Sequence, residues 1–190
     1  MIPSFAEPAP SANSGKYFLW ADRLVEYKLP DRFVELAEAL PEARFRMVAS
    51  LMSETPPGMP ERIEAAAERL PNLELFPPRP RSELLEEMRG AVAVVKTSRV
   101  EGMPNAFLEA WARGVPVLSL HVDPDARIAN NDIGAAADGS MGRLIEAAAS
   151  LSRDPELRTA IGERARRFVQ DVHSPEAVAD RWVALLEELI

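Results

Sequence analysis

The sequence predicts an α/β protein, a parallel sheet flanked by helices. Two observations carry this. Between residues 16 and 120, short apolar runs alternate with amphipathic stretches, the rhythm of strands joined by crossover helices. The runs also lack in-out alternation, most clearly AVAVVK at 91–96, as suits a sheet covered on both faces. The length of 190 residues fits one domain with a sizeable core.

Residues 1–15 are rich in Pro, Ser and Ala without apolar periodicity and read as a linker or disordered tail. A linker at the start predicts that another segment precedes it. The domain proper is expected over 16–190. Its first strand is read over 16–21 (KYFLWA), and a helix over 30–40 carries Phe33, Leu36, Ala37 and Leu40 at helical spacing. RFRMVA at 44–49 is the second strand, 60–70 an Ala-rich helix, 73–76 the third strand and 81–88 a short helix. The β-branched run 91–96 is a buried strand. Residues 104–113 form a helix with Pro104 at its first position and Gly114 just past its end, and VPVLSL at 115–120 is the fifth strand. From there the pattern turns helical: 141–152, then 155–172 after the N-cap Asp154, then 175–189 after Ser174. The last helix places Val178, Trp182, Leu185 and Leu189 on one stripe.

Composition excludes several classes. The chain is 47% hydrophobic and 27% charged, an ordinary globular balance. A net charge of −8 argues against general nucleic-acid binding, which needs a basic face. The absence of cysteine rules out disulfides and thiolate metal sites and fits a cytoplasmic protein. No signal peptide and no transmembrane run are read. No ligand cluster has metal spacing, and neither a GxGxxG, a P-loop nor an HExxH pattern occurs.

In an open parallel sheet, ligands bind beyond the carboxyl ends of the strands. Three loops there carry chemistry. The first holds Asp22, Arg23 and Lys28, whose two cations suit a diphosphate, although exposed cations are often merely solvated. The second, Pro77-Pro78-Arg79-Pro80, is either a stiff wall for a nucleobase or a rigid connector. The third runs from Thr97 and Ser98 to Glu101, Gly102, Met103 and Pro104, ahead of a helix whose N-terminal N–H groups favour anions or sugar oxygens. Gly102 admits close approach to the backbone. Glu101 and Glu109 can accept hydrogen bonds from diols. Glu101 also suits a helix N-terminus on structural grounds, and Asn105, Glu109 and Arg113 form a polar stripe. Glu109 nevertheless lies within AFLEAWA and needs a partner or a ligand.

Glu101 and Glu109 are separated by seven residues in SRVEGMPNAFLEAWARGVPVLS. This resembles the EX7E motif of retaining GT-B glycosyltransferases of family 4 (glycosyl transferases group 1). Arg23 and Lys28 are spaced as in that family's "GRLxxxKG" loop, LEAWARGVPVLS resembles "LEAMAxGxPVV", and RDPELRTAIGERARRFV resembles its C-terminal segment. The likeness runs from about Tyr17 to the end. It implies a Rossmann-like sheet forming the C-terminal, donor-binding half of a GT-B fold. Arg23 and Lys28 would neutralise the leaving diphosphate, and Glu101 would bind hydroxyls of the transferred sugar. Gly102 and Met103 would offer backbone N–H groups, Glu109 would hold the ribose, Phe76 and Pro77 would edge the base, and Ser98 would line the floor.

No cofactor is implied; a nucleotide diphosphate sugar is the donor substrate. The acceptor glycan, lipid or small molecule would bind an N-terminal half beyond this chain. Alone, the domain would be inactive, and the full enzyme would be cytoplasmic or at the inner face of a membrane. Three departures stand out: Asp22 where the family has Gly, Pro104 in place of the last Gly of EGFG, and ASLMS at 49–53 for "GxGP". An acid beside a diphosphate is unfavourable unless it turns away. An epimerase of the same fold and a non-catalytic nucleotide- or sugar-binding module remain alternatives. His121 is read as structural, His173 as a surface residue, Asp123-Pro124-Asp125 as a turn, and Trp20, Trp111 and Trp182 as core.

Overall fold

The structure, a computed structural model, describes residue 6 and residues 15–187. Apart from Ala6 and Gly15, the expected tail at 1–15 lies outside the described residues. Within it, Ala6 is buried and its N–H donates to the His173 carbonyl at 2.9 Å.

Six strands form one parallel sheet: β1 (Tyr17–Arg23), β2 (Phe45–Ser50), β3 (Leu73–Phe76), β4 (Ala91–Lys96), β5 (Val117–Ser119) and β6 (Gly134–Ala136). Their order is β3-β2-β1-β4-β5-β6, so the winding direction reverses between β1 and β4, where ligands gather in such sheets. The helices are α1 (Pro30–Ala39), α2 (Met59–Arg69), α3 (Arg81–Arg89), α4 (Asn105–Ala112), α5 (Arg127–Asn131), α6 (Met141–Arg153), α7 (Pro155–His173) and α8 (Pro175–Glu187).

Successive strand residues point to opposite faces, giving two cores. Phe18 and Trp20 pack with Phe33 of α1, Ile63 of α2 and Leu144 of α6. Tyr17 and Leu19 pack with Met88 of α3, Phe107 and Trp111 of α4, Ile128 of α5 and Val169 of α7. This is the expected parallel sheet with both faces covered.

Several boundaries differ from the sequence reading. β1 continues two residues past 21, so Asp22 and Arg23 belong to the strand rather than a loop, in register with Ala49 and Ser50 of β2. Pro104 is the N-cap of α4, not its first helical residue. Residues 115–120 contribute only Val117–Ser119 to the sheet. The segment after Leu120 is not purely helical: a 3-10 turn, α5 and the sixth strand intervene. β6 escapes a sequence reading because Gly-Ala-Ala carries no β-branched signal. The Asp123-Pro124-Asp125 turn is present, and the Asp123 carboxylate caps α5 by accepting from the amides of Ile128 (2.8 Å) and Ala129 (3.1 Å).

Two structural readings are corrected. His173 is buried at 1% exposure, beside Arg127 and the Phe168 ring. Trp182 is 49% exposed, with Val183, Leu185 and Leu186 also open, so the described part of the α8 stripe past Val178 has no cover among the described residues.

Candidate functional site

The ladder between β1 and β4 runs no further than Leu19 and Val94. Past it the strand ends are tied by side chains. Trp20 Nε1 donates to Thr97 Oγ1 at 3.0 Å, and Thr97 Oγ1 donates to the Lys28 carbonyl at 2.5 Å. The Arg99 amide donates to the Tyr27 carbonyl at 2.8 Å. These bonds clip the 3-10 turn Glu26–Lys28 onto the segment between β4 and α4. The turn leaves through Leu29 at φ 50, ψ 54, a left-handed conformation that costs a non-glycine residue about 1–3 kcal/mol. The surrounding bonds hold that strain, and the result is a fixed Lys28 at the mouth of the crevice.

Lys28 is 5% exposed. Its Nζ contacts Glu101 Oε1 and lies 3.0 Å from Asp22 Oδ2. Asp22 Oδ2 also receives Lys96 Nζ, and Asp22 Oδ1 accepts the Arg23 amide at 2.8 Å. Asp22 has not turned away from Lys28; it bridges two ammoniums. The Arg23 guanidinium is exposed, bonded to the Tyr27 hydroxyl, with no carboxylate partner among the described residues. Burial pushes the Asp22 carboxyl up, but Lys96 above all, then the Arg23 amide and Lys28, hold it below the usual carboxylate range. Burial pushes Lys28 down, and hydrogen bonding to Glu101 with attraction to Asp22 outweighs it, so Lys28 lies above its ordinary value. Asp22 and Lys28 therefore carry opposite charges at neutral pH.

Ser98, next along, is 1% exposed, and its hydroxyl has no partner among the described residues. Gly102 has open space where a Cβ would stand and no positive φ. Neither packing nor backbone geometry demands glycine there. Met103 is half-buried against the α4 side of the core. Glu109 has found its partner in Arg81, whose Nε and Nη2 approach Oε1 at 2.9 and 2.7 Å. Together with Asn105 and Arg113 they line a groove of about 420 Å³ between α3 and α4. Phe76 ends β3 beneath the guanidiniums of Arg79 and Arg46, at 4.8 and 5.4 Å, and Pro77 is exposed just beyond. The structure thus joins Arg23, Lys28 and Glu101 in one cluster through Tyr27 and Asp22, while Glu109 takes a separate cation one helical turn along α4 from Asn105. Among the described residues no group of three or more His, Asp or Glu side chains is placed to hold a metal ion, and no helix is long and apolar enough to cross a membrane.

The family model for glycosyl transferases group 1 matches residues 3–168. The chain belongs to that family. Glycosyltransferase 1 domain-containing protein 1 of Xenopus tropicalis is 25% identical over 161 residues, covering 85% of this chain and 46% of the relative. Among solved structures, WaaG, a glycosyltransferase involved in lipopolysaccharide biosynthesis, matches at TM-score 0.68 and 27% identity over 89% of this chain and 47% of its own. Staphylococcus aureus TarM, in complex with UDP among other ligands, matches at TM-score 0.79 and 20% identity, over 95% and 38%. This glycosyl transferases group 1 chain therefore spans less than half the length of these proteins. Its sheet is one Rossmann-like unit of the GT-B architecture.

Sequence reasoning passed over Lys96. The signal was present: a lysine ending an otherwise apolar strand is buried with it and needs a carboxylate. Asp22, near the end of the adjacent strand, is the acid within reach. Tyr27 and Thr97, which fix the turn, carry no comparable signal.

Proposed function

We propose that this domain binds the donor of a retaining glycosyltransferase, a nucleotide diphosphate sugar, and contributes the donor side of the transfer site. The observation that carries the reading is the contact between Lys28 and Glu101. It joins the basic segment after β1 to the acidic segment before α4 at the point where the sheet reverses its winding. In this reading Arg23 and Lys28 neutralise the departing diphosphate, an electrostatic stabilisation of the charge that develops in the transition state. Glu101 holds hydroxyls of the transferred sugar, and the amides of Gly102 and Met103 point at sugar or phosphate oxygens. Glu109 holds the ribose, Phe76 and Pro77 edge the base, and Ser98 closes the floor. The acceptor glycan, lipid or small molecule would meet the donor on a second Rossmann-like half, so this domain alone transfers nothing.

Isothermal titration with UDP, GDP and ADP tests the binding step. One of them is expected to bind, and Lys28→Ala is expected to weaken it by about tenfold or more, as loss of a partly buried phosphate contact does. No binding by any of the three overturns the reading. Release of free nucleoside diphosphate during sugar transfer by the 190-residue chain alone would refute the half-site part.

A non-catalytic nucleotide- or sugar-binding module is the second reading. It is favoured by Asp22, which leaves the Asp22, Lys28, Lys96 and Glu101 cluster without net charge. Nucleotide binding without transfer, even when the second half is supplied, would select it.

A further inference from the structure

We infer that Asp22 is an internal occupant of the anion subsite and that Lys96 is the residue that draws it aside when a diphosphate arrives. Both act as positioning residues. The inference rests on the donor-binding reading above and adds two residues to it.

The geometry has a definite asymmetry. Lys28 touches two carboxylates, Glu101 and Asp22, whereas Lys96 touches Asp22. Both ammoniums meet the same oxygen, Oδ2, while Oδ1 is anchored by the Arg23 amide at 2.8 Å. The Asp22 carboxylate thus sits as a small anion between two buried lysines, with side-chain exposures of 6% for Lys28, 8% for Lys96 and 9% for Asp22 itself. Two ammoniums and two carboxylates cancel, so an incoming anion meets the exposed Arg23 and no net charge behind it.

A diphosphate that takes Lys28 must displace Asp22 from it. Without a second cation the displaced carboxylate would be a buried, unpaired charge beside a phosphate, which is strongly unfavourable. Lys96 supplies that cation. It holds Asp22 through the exchange, so the carboxylate stays compensated while Lys28 turns to the ligand. Asp22 alone would be a defect in a phosphate site; with Lys96 it becomes a weak competitor that lowers affinity without abolishing binding.

The test is a double-mutant cycle read by titration with UDP, GDP, ADP and inorganic pyrophosphate, with the matching nucleosides as controls. Asp22→Asn removes the competing charge at constant shape and is expected to tighten diphosphate binding by about tenfold. Lys96→Met leaves Asp22 leaning on Lys28 alone and is expected to weaken it by a similar factor. Because Lys96 acts through Asp22, Asp22→Asn with Lys96→Met is expected to bind diphosphate about as tightly as Asp22→Asn alone, and a return to the product of the two single effects overturns the inference. Nucleoside binding should stay unchanged throughout. A merely structural role for Lys96 predicts instead that the double variant binds no better than Lys96→Met and that nucleosides suffer equally. Should Lys96→Met fail to fold, Asp22→Asn decides alone: unchanged or weaker diphosphate binding overturns the inference. Binding by the unmutated protein without tightening in Asp22→Asn sinks this proposal and spares the donor-binding reading. Absence of binding by every variant removes both.

Discussion

Ser98 carries a hydroxyl that is fully enclosed and has no partner among the described residues. Leaving such a group unmade costs about 1–3 kcal/mol, which a protein tolerates where a ligand completes the bond. Ser98→Ala is therefore expected to leave the ligand-free protein as stable or up to about 1 kcal/mol more stable in urea denaturation. The same change should weaken nucleotide binding. A variant that loses stability and keeps its affinity would make Ser98 an ordinary core residue. Tyr17 presents the opposite case, a buried polar group fully used. Its hydroxyl donates to the Glu87 side chain at 2.9 Å, and Arg46 closes the network against Glu87 at 2.8 Å. Burial first, then Glu87, pushes the Tyr17 phenol up to about 12 from 10.0. Because the folded value lies above the unfolded one, the stabilisation is complete below pH ~10 and disappears as the pH rises through ~12. The stability gap between the unmutated protein and Tyr17→Phe should be constant from neutral pH to ~10 and close above that, measured by urea melts across the range. A gap that is flat to pH ~12 would show that the phenol is not held by this network.

The strands β1 to β4 and the long helices were legible because their signals are local: AVAVVK reads as a buried strand in isolation, and Asp154-Pro155 marks the start of α7 wherever it occurs. β6 was not, since its three small residues owe their strand geometry to close approach by β5. An added Cβ at Gly134 would lie 2.0 Å from the Val117 carbonyl oxygen. The site divides in the same way. Arg23, Lys28, Glu101 and Glu109 could be singled out from spacing and residue type, but which charge meets which depends on the splay of β1 from β4. That is why the pairing of Lys96 with Asp22, and the inward turn of Asp22, emerge only in three dimensions, although a buried lysine at the end of β4 is itself legible. Gly162 shows how packing overrides a local rule. It lies inside α7, where alanine would ordinarily be better by about 1 kcal/mol. Here a Cβ would stand 2.2 Å from the Gly114 carbonyl oxygen, just past the end of α4. Backbone cannot yield as a side chain can, and overpacking costs about 1–3 kcal/mol. The steric term wins, so Gly162→Ala is expected to lower the melting temperature. A rise would mean that α4 and α7 are free to separate.

At the scale of the whole molecule, the three tryptophans report on three different environments. Trp111 lies at 0% exposure in the α4 and α7 core, Trp20 at 1% behind the candidate site, and Trp182 at 49% on α8. Trp182 therefore makes few contacts to lose, and Trp182→Phe should change stability by no more than about 0.5 kcal/mol, as surface substitutions do. Its removal should strip out the red-shifted fluorescence that acrylamide quenches and leave a blue, poorly quenched band from Trp20 and Trp111. That band has a functional use. Trp20 Nε1 is bonded to Thr97, whose hydroxyl in turn holds the Lys28 carbonyl, so Trp20 stands two hydrogen bonds from the lysine assigned to the diphosphate. Nucleoside diphosphate binding to the Trp182→Phe protein should shift this buried emission, and adding Trp20→Phe should remove the shift while Trp111 still fluoresces. If the response instead survives the loss of Trp20, the nucleotide is acting on the α4 and α7 side of the sheet, and the crevice between β1 and β4 is not where it binds.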